Sequence, residues 1–296
     1  MPVQPDTTPA TPDFKQLARA LTIVENDLAG ADDLLKNLHF TKNVPIIGIT
    51  GPPGAGKSTL VNALIGNLIS KDNKIAVLAI DPTSPFNFGS LLGDRIRMTA
   101  HFNRPDVFIR SIATRGSLGG LSVKTIEMAD VLRAAGFDYV FIETVGVGQS
   151  EIEIAGLADI TMVVLVPESG DEIQHIKSGM MEIADAFVIN KADREGADLF
   201  ANNLKKLVSQ KNEQLPVFKS VATQAGGIDE ISLFITSALH QTNHRKEFLQ
   251  AEKAYRIIQQ KRMAGVDKKQ LQHDIAEAMK VSGFNLYKFI EESFIG

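Results

Sequence analysis

Apolar and polar positions change rhythm twice along this chain. From residue 14 to about residue 38, Leu17, Leu21, Val24, Leu28, Leu34, Leu35 and Leu38 recur at helical spacing, which predicts one or two amphipathic helices. Between residues 45 and 220 the pattern becomes short apolar runs at 45–50, 75–80, 107–112, 139–143, 161–166, 186–190 and 216–220, separated by helical stretches. That alternation predicts a mostly parallel sheet covered by helices on both faces, an α/β fold. Beyond residue 228 only helical periodicity remains, at 231–239, 244–263, 268–281 and 285–294. The organisation expected is a lead-in over 1–12, an N-terminal helical extension over 13–42, one α/β domain over 43–240 and a C-terminal helical extension over 241–296 serving as a dimerisation element. No internal repeat interrupts this order.

Composition narrows the picture. With 296 residues the chain is long enough for one large α/β domain plus helical additions. It has no cysteine, which removes disulfides, thiolate metal sites and a cysteine nucleophile. The 31 basic and 35 acidic residues leave a net charge of −4 and are dispersed, so no footprint for nucleic acid or anionic lipid stands out. No run approaches the roughly 20 apolar residues of a membrane span. Residues 1–12 are rich in Pro and Thr, with neither a basic start nor an apolar run, and read as disordered rather than as a signal peptide. A cytoplasmic location is expected.

The first chemical signal is Gly51-Pro52-Pro53-Gly54-Ala55-Gly56-Lys57-Ser58, which matches G-x-x-x-x-G-K-[ST] between an apolar strand and a helix. Backbone N–H groups and the helix N-terminus of such a loop point at a polyphosphate. Lys57 is expected to neutralise β- and γ-phosphate oxygens and Ser58 to ligate Mg²⁺, with Thr59 a further phosphate contact. In a doubly wound sheet, ligands lie outside the carboxyl ends of the strands, so Asp81 and Glu143, each ending an apolar run, are candidate metal ligands. The stretch Glu143-Thr144-Val145-Gly146 resembles the D-x-x-G of GTPases with Glu for Asp, and Gly146 would bring its N–H to the γ-phosphate. Val147 then stands where a water-orienting glutamine follows that glycine in Ras-type enzymes. Slow hydrolysis is expected unless Gln149, another residue or a partner supplies the missing group.

The second signal is an apolar strand running into Asn190-Lys191-Ala192-Asp193, or N-K-x-D. The Asp193 carboxylate can accept from guanine N1–H and the 2-amino group. Adenine lacks that donor pair, so a site built for it discriminates against ATP. After the next strand, the loop opening with Val221, Ala222 and Thr223 is expected to offer a backbone N–H to the guanine oxygen.

The order of these motifs resembles the MeaB/ArgK family of cobalamin-associated GTPases. The resemblance runs from Leu17 to about Gly227 and is carried by residues 18–26 (ARALTIVEN), 80–85 (IDPTSP), 93–98 (GDRIRM), 110–120 (RSIATRGSLGG), 143–151 (ETVGVGQSE) and 170–174 (GDEIQ). It implies Mg²⁺ ligands at Ser58, Asp81, Asp94 and Glu143, a first switch over 81–98, a second over 143–151, and a relay segment over 167–177. It also implies the dimeric, signal-recognition-like class of P-loop fold. The implied activity is GTP hydrolysis by a chaperone that gates adenosylcobalamin delivery to a cobalamin-dependent acyl-CoA mutase, typically methylmalonyl-CoA mutase, and protects it. Catalysis would rest on Lys57, Glu143, Gly146 and Gln149, with GTP/GDP and Mg²⁺ as cofactors. One departure concerns the relay, where Glu168 and Ser169 replace the smaller residues expected of the family.

Two rival readings are a small-molecule kinase or ATPase linked to arginine/ornithine transport and a metal-inserting GTPase. The N-K-x-D motif opposes the first. Absence of cysteine and the scattering of His39, His101, His175, His240, His244 and His273 oppose the second. Arg95, Arg97, Arg110 and Arg115 are candidates for a transition-state arginine.

Overall fold

The computed structural model describes residues 13–81, 98–113, 123–144, 153–168, 178–210, 215–238, 246–281 and 283–295. Seven strands form one sheet: β1 (Ile46–Thr50), β2 (Ile75–Asp81), β3 (Val107–Ala113), β4 (Tyr139–Glu143), β5 (Ile160–Leu165), β6 (Ala186–Ile189) and β7 (Val217–Lys219). They lie in the order β3-β2-β4-β1-β5-β6-β7 and every pairing is parallel. The sequence reading of a mostly parallel, helix-flanked P-loop sheet is therefore met, with strand ends displaced by a residue or so.

Strand residues alternate between two cores, as a period of two requires. On one face Met162, Val164 and Val188 join Leu60, Leu64 and Leu68 of α3 (Lys57–Ile69) and Ile231 and Ile235 of α7 (Ile228–Ala238). On the other, Val163, Leu165, Phe187 and Ile189 meet Met180 and Met181 of α5 (Ser178–Ile183) and Phe200 and Leu204 of α6 (Ala197–Gln210). Burial on both faces is why these strands read as continuous apolar runs instead of alternating ones.

Periodicity over 14–38 resolves into two helices, α1 (Phe14–Glu25) and α2 (Ala31–Lys36). Asp13 caps α1, accepting from the Lys15 and Gln16 amides at 2.9 and 3.2 Å. Asp27 at φ +52° and Gly30 at φ +91° break the run between the two. α1 packs Leu17, Leu21 and Val24 inward, and Phe14 meets Phe108 edge-on and stacks on Phe137, with ring centroids 5.4 and 6.2 Å apart. Arg110 on β3 donates to Glu25 Oε2 at 2.6 Å and to Thr22 Oγ1 at 3.2 Å. Lys124, on α4 (Val123–Ala134), donates to Asp27 and Glu127 at 2.8 and 2.9 Å. Burial pulls the Lys124 ammonium down, but the bonds it donates to Asp27 and Glu127 outweigh this and hold the group above the ordinary lysine value.

The chain divides into compact units at residues 1–250 and 251–296. This places the division inside α8 (Lys246–Met263), about ten residues beyond the boundary expected at 240/241, and puts α1 and α2 in the same unit as the sheet. The second unit continues through α9 (Lys268–Ala278), α10 (Leu286–Ile290) and a final π-turn over Glu291–Ile295. Asp267 and Asn285 cap α9 and α10 through their side chains. Residues 1–12, the proposed lead-in, lie outside the described residues.

Candidate nucleotide site

The carboxyl end of β1 runs straight into the loop from Gly51 to Ser58, and the loop's shape follows from its glycines. Gly51 sits at φ +135°, where a Cβ would strike the Val164 carbonyl on β5. Gly56, at φ +83°, caps α3, and a Cβ there would strike Asn190 Nδ2. Pro53 and Gly54 form an exposed crest, whereas Ala55, Lys57 and Ser58 are buried and Thr59 is half-buried. α3 therefore begins inside the loop with its positive end and free amides directed at it.

Two side chains leave the first turn of α3 toward the loop and toward β4. Lys57 Nζ donates to the carbonyls of Gly51 and Pro52 at 2.8 and 3.0 Å. Ser58 Oγ donates to Glu143 Oε1 at 2.6 Å, and both residues are buried. Asp81 reaches the same end of the sheet: Ala79 lies opposite Glu143 in the β2–β4 register, so Asp81 is two residues further along. Of the other residues expected here, Asp94, Gly146, Val147 and Gln149 lie outside the described residues, as do Arg95, Arg97 and Arg115. The Ser58 hydroxyl and Glu143 carboxylate are hard oxygen donors and fit Mg²⁺. Among the described residues no cluster of three or more His, Asp or Glu side chains gathers elsewhere as a rival metal site.

Arg110 does not join this group. Its guanidinium is turned to Glu25 and Thr22 of α1, which makes it a tie between β3 and the N-terminal helix. His101 is buried with Nε2 3.3 Å from the Asn62 carbonyl, and His39 and His273 are exposed and far apart in sequence. His175, His240 and His244 lie outside the described residues.

The N-K-x-D segment follows β6. Asn190 is buried, and its carboxamide is wholly engaged by the protein. Nδ2 donates to the carbonyls of Ala55 and Gly56 at 3.0 and 3.4 Å. Oδ1 accepts from Ser220 Oγ and from the Ala222 amide, both at 3.2 Å. One side chain thus joins the phosphate loop to the segment after β7. Lys191 adopts φ +55° and extends Nζ to the Gly54 carbonyl at 2.7 Å, laying its stem along the phosphate loop. Asp193 is exposed, and its carboxylate accepts no hydrogen bond from the described residues. Val221 bridges to Gly226 in both directions, folding residues 221–226 into a closed loop on which Thr223 is exposed. With the Ala222 amide engaged by Asn190, a base oxygen is left to the amides beyond it.

Two features had a faint signal in the sequence or none. Thr144 Oγ1 donates to Thr50 Oγ1 at 3.0 Å, fastening the ends of β4 and β1 beneath the phosphate loop. The hint was a threonine closing each apolar run. Arg194 pairs with Glu168, joining the N-K-x-D turn to the residues after β5, and nothing in the sequence placed those two together.

A family model described as "Methylmalonyl Co-A mutase-associated GTPase MeaB" matches residues 17–280. Over 227 residues the chain is 52% identical to a protein of Pyrococcus abyssi named, provisionally, as a GTPase, covering 74% of this chain and 70% of that one. It is 36% identical over 252 residues to the fused isobutyryl-CoA mutase of Geobacillus kaustophilus, covering 79% of this chain and 23% of the much longer relative. Among solved structures, the LAO/AO transport system kinase superposes with a TM-score of 0.64 at 26% identity, covering 95% of this chain and 92% of that one.

Proposed function

Since the chain belongs to the MeaB family of mutase-associated GTPases, we propose that its GTP cycle serves a cobalamin-dependent acyl-CoA mutase, gating adenosylcobalamin loading and protecting the loaded enzyme. That it is a GTP hydrolase follows from the family and from the P-loop fold. The observation that supports the nucleotide chemistry best is the Ser58–Glu143 bond, which brings a hydroxyl and a carboxylate together beside Lys57.

In this reading Gly51–Ser58 hold the α- and β-phosphates through backbone amides, and Lys57 leaves the Gly51 and Pro52 carbonyls for the β- and γ-phosphate oxygens. Ser58, Asp81, Asp94 and Glu143 would hold Mg²⁺, which supplies charge neutralisation on the phosphates. Asp193 selects guanine, Lys191 covers the base with its stem, and the loop at Val221, Ala222 and Thr223 closes over the guanine oxygen. Gly146 and Gln149 belong to the second switch, where the γ-phosphate is sensed and water is placed. Because Val147 cannot orient water, partner-free hydrolysis stays on the order of 10⁻⁴–10⁻² s⁻¹. The partner is of the methylmalonyl-CoA mutase type, a choice supported by the family's description and by the relative that is itself a fused isobutyryl-CoA mutase. The protein acts in the cytoplasm as a homodimer through its C-terminal helices; among the described residues no helix is long and apolar enough to cross a membrane.

The test is single-turnover GTP hydrolysis with and without a purified cobalamin-dependent acyl-CoA mutase, alongside GTP-dependent transfer of adenosylcobalamin. Acceleration and gated transfer are expected, and both should vanish when Asp171, Glu172 and Lys177 in the relay segment are replaced by Ala. A hydrolysis rate unmoved by every such mutase, together with ungated transfer, removes the chaperone reading and leaves the GTPase standing.

A further inference from the structure

We infer that Glu168 and Arg194 form a brace that sets the position of Asp193, making both of them positioning residues for guanine selectivity. The inference rests on the reading of Asp193 as the base-selecting carboxylate.

The turn that carries Asp193 is held on three sides by bonds already present. The Arg194 amide donates to the Lys191 carbonyl at 3.0 Å, which closes Lys191–Ala192–Asp193–Arg194 into a tight turn with Asp193 near its tip. The Ala192 amide donates to the Ser220 carbonyl at 3.0 Å, fixing the turn to the segment after β7, and Lys191 Nζ reaches Gly54, fixing it to the phosphate loop. The remaining side faces β5. There β5 and β6 run parallel with Leu165 opposite Ile189, and the Asn190 amide donates to the Leu165 carbonyl at 2.8 Å. Three residues past Leu165 the chain presents Glu168, whose carboxylate pairs with the Arg194 guanidinium. The pair spans 26 residues of sequence and closes the open side.

A carboxylate that must accept from N1–H and the 2-amino group together tolerates little displacement, since two parallel bonds fix its direction as well as its distance. Loosening the turn therefore harms the two-bond partner more than a one-bond partner. Both side chains are about half exposed, 49% for Arg194 and 51% for Glu168, which limits the effect to a few-fold.

The experiment measures GTP and ITP affinity by calorimetry on the full chain, ITP being the base that keeps N1–H and lacks the 2-amino group. Glu168→Gln and Arg194→Gln should each lower the GTP-to-ITP affinity ratio about threefold, the range of an exposed ion pair, with ITP binding little changed. The reversed pair, Glu168→Arg with Arg194→Glu, should restore the ratio. General loosening of the fold would weaken both nucleotides alike, and that outcome overturns the brace. So does an unchanged ratio in both single variants when Asp193→Ala abolishes the preference. If Asp193→Ala leaves the parent ratio intact, the base-reading assignment fails and takes the brace with it.

Discussion

The carboxyl end of the sheet and the C-terminal unit differ in how their side chains are employed. At the sheet end, buried polar groups are tied to one another across the fold: Ser58 to Glu143, Thr144 to Thr50, and Asn190 to both the phosphate loop and the segment after β7. In residues 251–296 the balance shifts toward exposed apolar side chains. No residue of α9 or α10 is buried, and Tyr255, Ile258, Met279, Val281 and Tyr287 lie open, Tyr287 at 82% exposure. A network of buried hydrogen bonds fails when a single member is removed, because the abandoned partner keeps its desolvation penalty. Exposed apolar side chains lose nothing within the monomer when trimmed. Substitutions in the first region should disturb chemistry and stability together, whereas those in the second should spare both and show only in association.

The largest effect is expected from Ser58→Ala and Glu143→Ala. Either should lower single-turnover GTP hydrolysis by about a hundredfold, on the scale of losing one preorganised electrostatic contact, and raise the Mg²⁺ concentration needed for half-maximal turnover. Unchanged Mg²⁺ dependence in both variants would show that these oxygens do not hold the metal. Next, Asp193→Asn should exchange preference from guanine to xanthine nucleotides, because an amide can donate to the extra carbonyl; calorimetry with GTP, XTP and ATP reads this. ATP binding as tight as GTP in the parent would contradict the base assignment.

Asn190→Ala removes a carboxamide whose nitrogen and oxygen are both bonded to the protein, so it isolates the contribution of the network. It should destabilise the fold by about 2–3 kcal/mol, the scale for orphaning several buried polar groups, as a shift in urea midpoint without a change in slope. It should also weaken nucleotide binding indirectly. The smallest change in stability, within about 0.5 kcal/mol, is expected for Tyr255→Ser and Tyr287→Ser, far below the Asn190 effect. Sedimentation velocity should nonetheless show those variants shifted toward monomer. A dimer indifferent to both would place its contact elsewhere.

Much of the architecture is legible in the sequence alone. Strands buried on both faces print themselves as apolar runs, and a glycine-rich loop between strand and helix announces its chemistry at short range. What escaped was whatever depends on residues meeting across long intervals. The local pattern around Arg110 is that of a strand residue; nothing in it points to Glu25, 85 positions earlier, which turns the arginine from a phosphate candidate into a structural tie. Asn190 was legible as part of a base-reading motif, yet its four bonds to Ala55, Gly56, Ser220 and Ala222 needed the fold to bring those segments together. Helix ends blurred too: the expected helix over 268–281 stops at Ala278, since the apolar positions after it belong to a turn that periodicity does not distinguish from helix.

The Asn190 clamp also imposes an order on the making of the protein. Its amide closes contacts 135 residues back, to Ala55, and 32 residues forward, to Ala222. While the chain is being synthesised, the phosphate loop emerges early, but its anchor arrives with Asn190 and the far half of that anchor only with Ala222. Domains fold as units during synthesis and distant pairings close last. A nascent chain that ends before Ala222 clears the ribosome therefore has Asn190 against the phosphate loop but lacks the Ala222 amide that holds the other end of its carboxamide. Nucleotide capture becomes complete only after Ala222 has been made, 171 residues after Gly51 opens the phosphate loop.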